Sequence, residues 1–369
     1  RLASLAATAG NRAGTYKRLK GMRMSSPSAS CLSLGRGAAW FQLLLLSAAV
    51  GGSVGLPSCT DTLPDCDRSA QELIAAHGFL PQPHTCRTED GFLLALFRIL
   101  PRDPAMRAAP SRGTVLLMHG LLDSADTWLL NGRDKSLAFV LADAGFDVWL
   151  GNNRGNKYST SHESLLPSDE AFWAWSWDQM ARYDLPALVE YVSVATGGGK
   201  VSLVGHSQGS LQAFAALSLP TPAAKKLAKN LNIFIALAPV FYLSGMASPL
   251  LNALADVPEA EASLIFGKKD FLPSTDILKR LLPTVCAKSP DICKYAACAV
   301  SGCDPVSHAH YNTTRWPVYA AHYPAGASVR DMLHFRQMLR GADTRMFDFG
   351  SPSANKEAYG TSEPPTYGV

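Results

Sequence analysis

From Thr85 onward, short unbroken apolar runs alternate with stretches in which apolar residues recur every three or four positions. Runs of the first kind suit buried strands; the second spacing suits helices packed on one face. Residues 85–88 and 92–99 flank Glu89-Asp90-Gly91, a turn signal ending in glycine, and so predict an antiparallel hairpin. Residues 101–111 read as a proline-rich linker. Residues 114–118 then read as a buried strand, 135–144 as a helix closed by Gly145, and 146–150 as the next strand. A helix over 182–195 closes at Gly197-Gly198-Gly199, and 233–238 forms a later buried strand. Strands alternating with helices imply a mostly parallel sheet covered on both faces, and the hairpin makes that sheet mixed.

One stretch of this pattern carries chemistry. The apolar run Val201-Ser202-Leu203-Val204 leads directly into Gly205-His206-Ser207-Gln208-Gly209, and residues 210–217 continue at helical spacing. A serine on a sharp strand-to-helix turn is a nucleophile elbow: its hydroxyl stands clear of the sheet, within reach of a base and of backbone donors. The flanking glycines keep side chains out of a crowded turn. After Pro239 the alternation stops. Residues 240–340 are apolar and helical in tone, with no run that reads as a central strand. Inserted after a core strand, such a segment would cap the sheet edge where Ser207 emerges, and its apolar character suits a substrate with long hydrocarbon parts. A second domain with no part in catalysis is the alternative.

Composition and charge narrow the picture. The 369 residues, 47% hydrophobic and 17% charged, suit a globular chain with a sizeable core. The formal net charge of +4 comes from the first 37 residues, which hold seven basic side chains and no acidic one; without them 27 basic face 30 acidic residues. That balance offers no support for nucleic-acid binding by the folded part. The basic stretch precedes an apolar run, 38–50, and small residues, which reads as a secretory signal; it is shorter than the ~20 residues of a membrane-spanning helix. Residue 1 is arginine, and the first residues are expected to lie upstream of the true start and to carry no fold.

Cys59, Cys66 and Cys86 fall in the loop-rich segment after the leader, Cys31 leaves with it, and Cys286, Cys293, Cys298 and Cys303 crowd a later stretch. In an oxidising compartment, Cys286 and Cys293 suit a local disulfide loop. A metal site is the alternative, but no CxxC pair occurs and only His308 and His310 lie nearby, so no metal is expected. Asn312-Thr313-Thr314 is a glycosylation acceptor if the chain is secreted.

With the elbow, His119-Gly120-Leu121-Leu122, Asn152-Asn153-Arg154-Gly155-Asn156 and Phe172-Trp173-Ala174-Trp175-Ser176-Trp177-Asp178 in place, the chain resembles the acid lipase family of α/β-hydrolases. This family includes gastric, lysosomal and plant neutral-lipid lipases. The resemblance runs from about Ala70 to the last residue and takes in Thr88-Glu89-Asp90-Gly91, Ser136-Leu137-Ala138-Phe139, Tyr183-Asp184-Leu185-Pro186-Ala187 and Gly350-Ser351-Pro352. It implies Ser207 as nucleophile and the backbone N–H groups of Leu121 and Gln208 as the oxyanion hole. The fold's logic agrees, since one donor follows the nucleophile and the other comes from the loop after an earlier strand. His119 reads as structural, His206 as packing, the aromatic cluster as core, and Asp178 and Asp184 as helix-end or hydrogen-bonding residues.

The fold places a catalytic acid and then a histidine after the serine, each on a loop following a late strand. In the acid lipases these lie beyond a segment resembling residues 363–369, where this sequence stops. His308, His310, His322 and His334, like Asp304, Asp331, Asp343 and Asp348, lack that setting, so neither catalytic Asp nor His is assigned. The expectation is a fragment of a complete lipase, with a naturally shortened protein as the alternative. The resulting organisation is a leader (1–55), an N-terminal arm and hairpin (56–111), an α/β-hydrolase core (112–239), a helical cap (240–345) and a truncated return to the core (346–369). The resemblance implies hydrolysis of triacylglycerol or sterol esters at a lipid–water interface, without metal or organic cofactor. A carboxylesterase or thioesterase, or a non-catalytic lipid-binding relative, are the competing functions.

Overall fold

The computed structural model describes residue 59 and residues 63–369, apart from 247, 258–260, 262–263, 265, 303–310 and 369. The leader with Cys31, and also Cys303, Asp304, His308, His310 and Val369, lie outside the described residues. No helix among the described residues is long and apolar enough to cross a membrane.

Helix α1 (Ala70–Ala76) leads into the hairpin of β1 (Phe79–Arg87) and β2 (Phe92–Pro101). Cys86 sits inside β1, buried, and so belongs to the sheet rather than to a loop. The 101–111 segment contains a short helix, α2 (Pro104–Ala108), because Asp103 accepts from the Ala105 N–H and Pro104 occupies the first turn, where its missing donor costs nothing. Next come β3 (Thr114–Met118), α3 (Leu137–Asp143), β4 (Asp147–Gly151) and the two-residue β5 (Ser161–His162). The helix expected over 182–195 is helical throughout: its first residues belong to a π-helical turn, Met180–Asp184, that runs directly into α4 (Leu185–Ala195). Strand β6 (Val201–His206), α5 (Gln208–Ser218), α6 (Pro222–Asn230) and β7 (Leu231–Leu237) complete the alternation.

The sheet order is β1-β2-β4-β3-β6-β7, with β5 beside β2. β1, β2 and β4 pair antiparallel, whereas β4, β3, β6 and β7 run parallel, giving the expected mixed sheet. Alternate residues of each strand feed opposite faces. Leu116, Met118, Trp149 and Leu203 join α4, α5 and the tryptophans on one side. Val115, Leu117, Val148, Leu150 and Val204 join α1 and α3 on the other. Both faces of the central strands are therefore dry.

β7 differs. Its Phe234 packs edge-on against Phe214 of α5, yet Ile233, Ile235 and Leu237 on the opposite face are 51%, 43% and 37% exposed.

After β7 the chain turns helical: α7 (Pro249–Asp256), β8 (Asp270–Phe271), α8 (Asp276–Lys288), α9 (Pro290–Ser301), α10 (Trp316–His322), β9 (Ala327–Ser328) and α11 (Val329–Arg340). β8 and β9 form only a two-residue ladder, consistent with the absence of a central-strand signal there. Cys286 of α8 is bonded to Cys293 of α9, and Cys59 to Cys66. α12 (Pro352–Tyr359) and the tail return to the core, where the Tyr367 hydroxyl donates to Asp178 at 2.6 Å.

Candidate active site

β6 delivers Ser207 in a backbone conformation that L-residues avoid, φ 51° and ψ −117°. Such a residue carries strain on the order of 1–3 kcal/mol and persists only when its surroundings over-determine it. Here they do. The Ser207 N–H donates to the Leu237 carbonyl at 2.9 Å, and its own carbonyl accepts from the N–H groups of Ser210 (2.8 Å) and Leu211 (3.1 Å). The turn is also too tight for side chains. A Cβ on Gly205 would lie 2.5 Å from the Gly209 carbonyl oxygen, and one on Gly209 would lie 2.5 Å from that of Met118. The elbow is thus wedged against the end of β3 by backbone-on-backbone contact.

The loop after β3 crosses the serine. A Cβ on Gly120 would be 3.2 Å from the Ser207 Cβ, so the peptide leading to Leu121 runs beside the hydroxyl-bearing carbon. His119 braces this loop. Its Nε2 accepts from the Asn153 N–H at 3.1 Å, so the proton belongs on Nδ1, which donates to the Gly120 carbonyl at 2.8 Å. Burial pushes the His119 pKa down to about 4, so the ring is neutral at physiological pH. Leu122, at φ 57°, turns the chain away, and its carbonyl accepts from Ala325 N–H at 2.7 Å. Among the described residues, neither the Leu121 N–H nor the Gln208 N–H at the head of α5 has a partner. Gln208 is buried, its side-chain amide 3.1 Å from the Met180 sulfur.

The other motifs of the sequence build the support beneath this loop. Asn152 Oδ1 accepts from Ala125 N–H and from the Asn156 side chain, both at 2.9 Å. Arg154, fully buried, grips Asp184 through Nε (2.8 Å) and Nη2 (2.6 Å) and Asp90 through Nη1 (2.7 Å) and Nη2 (2.9 Å). Burial pushes the Asp90 carboxyl up, but the Arg154 guanidinium outweighs it and leaves the pKa below the ordinary carboxylate range. The sequence motifs around Asp90, Arg154 and Asp184 are therefore one hydrogen-bonded unit. Sequence reasoning missed Arg154 as its centre, because its two partners lie 30 and 64 residues away and no local pattern marks them. Phe172, Trp173, Trp175 and Trp177 are core, as expected. Asp178 is a structural acceptor, taking the Phe347 N–H at 2.8 Å and the Tyr367 hydroxyl.

The described histidines are engaged away from Ser207. His322 lies 2.6 Å from Asp126 and donates to the Asp65 carbonyl at 2.8 Å. His334 stacks on Trp177 at 4.1 Å and bonds Ser176 and the Arg345 carbonyl. His84 bonds Tyr191, His162 the Asp90 carbonyl, and His77 faces Asp65. His206, next to the serine, turns its ring edge-on to Trp128 at 6.4 Å. Among the described residues no histidine bonds the Ser207 hydroxyl. Asn312 is partly exposed, its Oδ1 accepting from the Thr314 hydroxyl at 2.8 Å.

A serine on a strained strand-to-helix turn, crossed by the loop of the neighbouring parallel strand, defines the α/β-hydrolase class. Family models agree: one described as a partial alpha/beta-hydrolase lipase region matches residues 70–132, and one described as the alpha/beta hydrolase fold matches 113–231. The chain is 38% identical to the human lysosomal acid lipase/cholesteryl ester hydrolase, the match covering 89% of this chain and 80% of that one. It is also 38% identical to the rat gastric triacylglycerol lipase, over 89% of this chain and 82% of that one. The chain belongs to the acid lipase family of α/β-hydrolases, a family of carboxylic-ester hydrolases.

Proposed function

We propose that the protein hydrolyses carboxylic esters of neutral lipids, triacylglycerol or sterol ester, through an acyl-enzyme on Ser207. The observation that carries this reading is the strained Ser207, held with two unpartnered N–H groups, those of Leu121 and Gln208, in the turns beside it. Ser207 Oγ attacks the ester carbonyl carbon; the carbonyl oxygen gains the negative charge and is held by the two N–H groups; the alcohol leaves with a proton, and water then releases the acid. Fixed donors of this kind are each worth about 3–4 kcal/mol to the barrier. The base that takes the serine proton lies outside the described residues, because the described histidines are committed to other partners. Without a base, the elbow and donors alone retain a small fraction of the rate, several powers of ten below a complete triad.

The helical segment 240–345 acts as the cap over this site, and the substrate is met at a lipid–water interface. The two disulfides suit the secretory pathway, the setting named for the lysosomal and gastric relatives, and Asn312 is its glycan acceptor. The full polypeptide is expected to hydrolyse emulsified trioleoylglycerol or cholesteryl oleate faster than short soluble esters, with loss of both activities in Ser207→Ala. Equal loss of neither activity would remove the reading. A non-catalytic lipid-binding relative is the second reading, favoured only by the engagement of the histidines; binding of these lipids without turnover would support it.

A further inference from the structure

Helix α10 of the cap ends at His322, and the residues from His322 to Ala325 bond the loop that carries the Leu121 N–H at two points. The Ala325 N–H donates to the Leu122 carbonyl at 2.7 Å, one residue beyond Leu121, and the Ala325 carbonyl accepts from the Lys157 N–H at 2.9 Å. Further along the same loop, Asp126 is held by three partners: His322 Nδ1 at 2.6 Å, the Tyr158 hydroxyl at 2.8 Å and the Lys157 ammonium. His322 Nε2 in turn donates to the Asp65 carbonyl at 2.8 Å. Asp126, His322 and Ala325 are all buried.

These bonds close a ring around the loop. His119 ties its start to Asn153, Ala325 ties its middle and His322 ties Asp126, while Lys157, in the same segment as Asn153, bonds both Ala325 and Asp126. Between the ties Leu122 sits at φ 57°, a conformation that a leucine keeps only when its neighbours hold it. Freed from Ala325 and Asp126, Leu122 would relax to an ordinary φ and shift the adjoining Gly120–Leu121 peptide, which runs beside Ser207. The charges suit a permanent clamp. Burial pushes the Asp126 carboxyl up, but Lys157 and His322 outweigh it and hold its pKa down to about 2, so Asp126 is an anion that only accepts. A buried carboxylate gripped in this way is costly to separate from its donors.

We propose that His322 and Asp126 are positioning residues for the oxyanion hole: the base of the cap, through the His322–Asp126 pair and the Ala325 bond, fixes the Leu121 N–H where the ester oxygen becomes charged. This rests on the ester-hydrolase reading above. Neither residue meets the substrate; both act through the backbone of the loop. The cap is therefore anchored where it joins this loop, and the same bonds that hold it down set the geometry of one oxyanion donor.

The test uses the full polypeptide and para-nitrophenyl butyrate, a soluble ester that needs no lipid surface, with active sites counted by the fluorophosphonate bound to Ser207 at completion. His322→Ala is expected to lower kcat per counted site about 10–100-fold with KM changed less than about twofold, because a displaced donor is felt in the transition state and not in substrate binding. The initial labelling rate falls in parallel, since the phosphonyl oxygen uses the same donors. His322→Asn, whose amide stands in the place of Nδ1 and still donates to Asp126, recovers most of the rate. His322→Gln, whose amide reaches the Asp65 carbonyl instead, does not. This pair differs by one methylene and carries the test if the alanine variant fails to fold. Tyr319→Phe, which removes the bond from α10 to Asn131 and no bond of the ring, leaves kcat unchanged and lowers only the melting temperature. An unchanged kcat per counted site in His322→Ala, or equal recovery by Asn and Gln, overturns the positioning role. If Ser207 of the unsubstituted chain takes no fluorophosphonate, the hydrolase reading itself fails; full labelling at a rate indifferent to His322 removes the positioning role alone.

Discussion

The elbow and the outer strand β7 are joined by one hydrogen bond, from the Ser207 N–H to the Leu237 carbonyl, yet they are built in opposite ways. Around the elbow the backbones are in close contact, while Ser207 itself stays partly exposed. Gly205, Gly209 and Gly120 let three backbones meet, and a strained φ is held by carbonyls on both sides. Along β7 one face is covered by Phe214, and the other leaves Ile233, Ile235 and Leu237 open. The difference teaches that strand β3, its loop and helix α5, with one backbone hydrogen bond from the end of β7, hold a nucleophile in its unusual conformation even though the far face of β7 is open. Deprotonating that nucleophile is a separate task, and the described residues beside β7 contribute no histidine to it.

Substitutions on the two sides should separate them sharply. Arg154→Met, which strands the buried Asp184 carboxylate and the partly exposed Asp90 carboxylate below the serine loop, should cost about 3–5 kcal/mol in urea unfolding. An unfolding curve shifted by less than a third of that would show that the acids find other partners. The paired comparison Leu117→Ala and Ile235→Ala comes next. Leu117 is wholly buried in β3 and should cost about 2–5 kcal/mol. The half-exposed Ile235 should cost under about 1 kcal/mol. Comparable losses at both would mean that β7 is covered in solution, and the contrast between the regions would collapse.

Gly209→Ala forces a Cβ onto the Met118 carbonyl and should destabilise by about 1–3 kcal/mol, with displacement of Ser207 visible as lost probe labelling. The smallest effect has the opposite sign. Ser207→Gly removes strain at a positive φ, but glycine costs entropy in the unfolded chain, so a net gain of about 0.5–1 kcal/mol is expected. A loss of stability in thermal melts would show that the Ser207 conformation is not strained.

Much of this was legible in the chain. Apolar runs and their spacing located β3, β4, β6 and β7 to within a residue or two, because buried parallel strands read as continuous hydrophobic segments. Gly205 to Gly209 announced the turn, since backbone crossings that close exclude other residues. What was not legible was long-range pairing. Arg154 meets Asp90 and Asp184 from sequence separations of 64 and 30 residues, and nothing local distinguishes these acids from surface ones. The helix over 182–195 is present, but the π winding of Met180–Asp184 ahead of α4 was not legible, because the composition of that stretch does not separate a wider helical turn from an α-helical one. α2 was missed because the prolines on either side of it, Pro101 and Pro110, make the stretch read as linker, although Asp103-Pro104 is a serviceable helix start. The pairing of Asp126 with His322 spans 196 residues, a juxtaposition that no spacing encodes.

The central claim is that Ser207 is the nucleophile, and covalent labelling tests it most directly. The full polypeptide treated with a fluorophosphonate probe, digested and sequenced by mass spectrometry should carry one adduct, on Ser207, absent from Ser207→Ala. An unmodified Ser207, or an adduct that survives its replacement, would contradict the account.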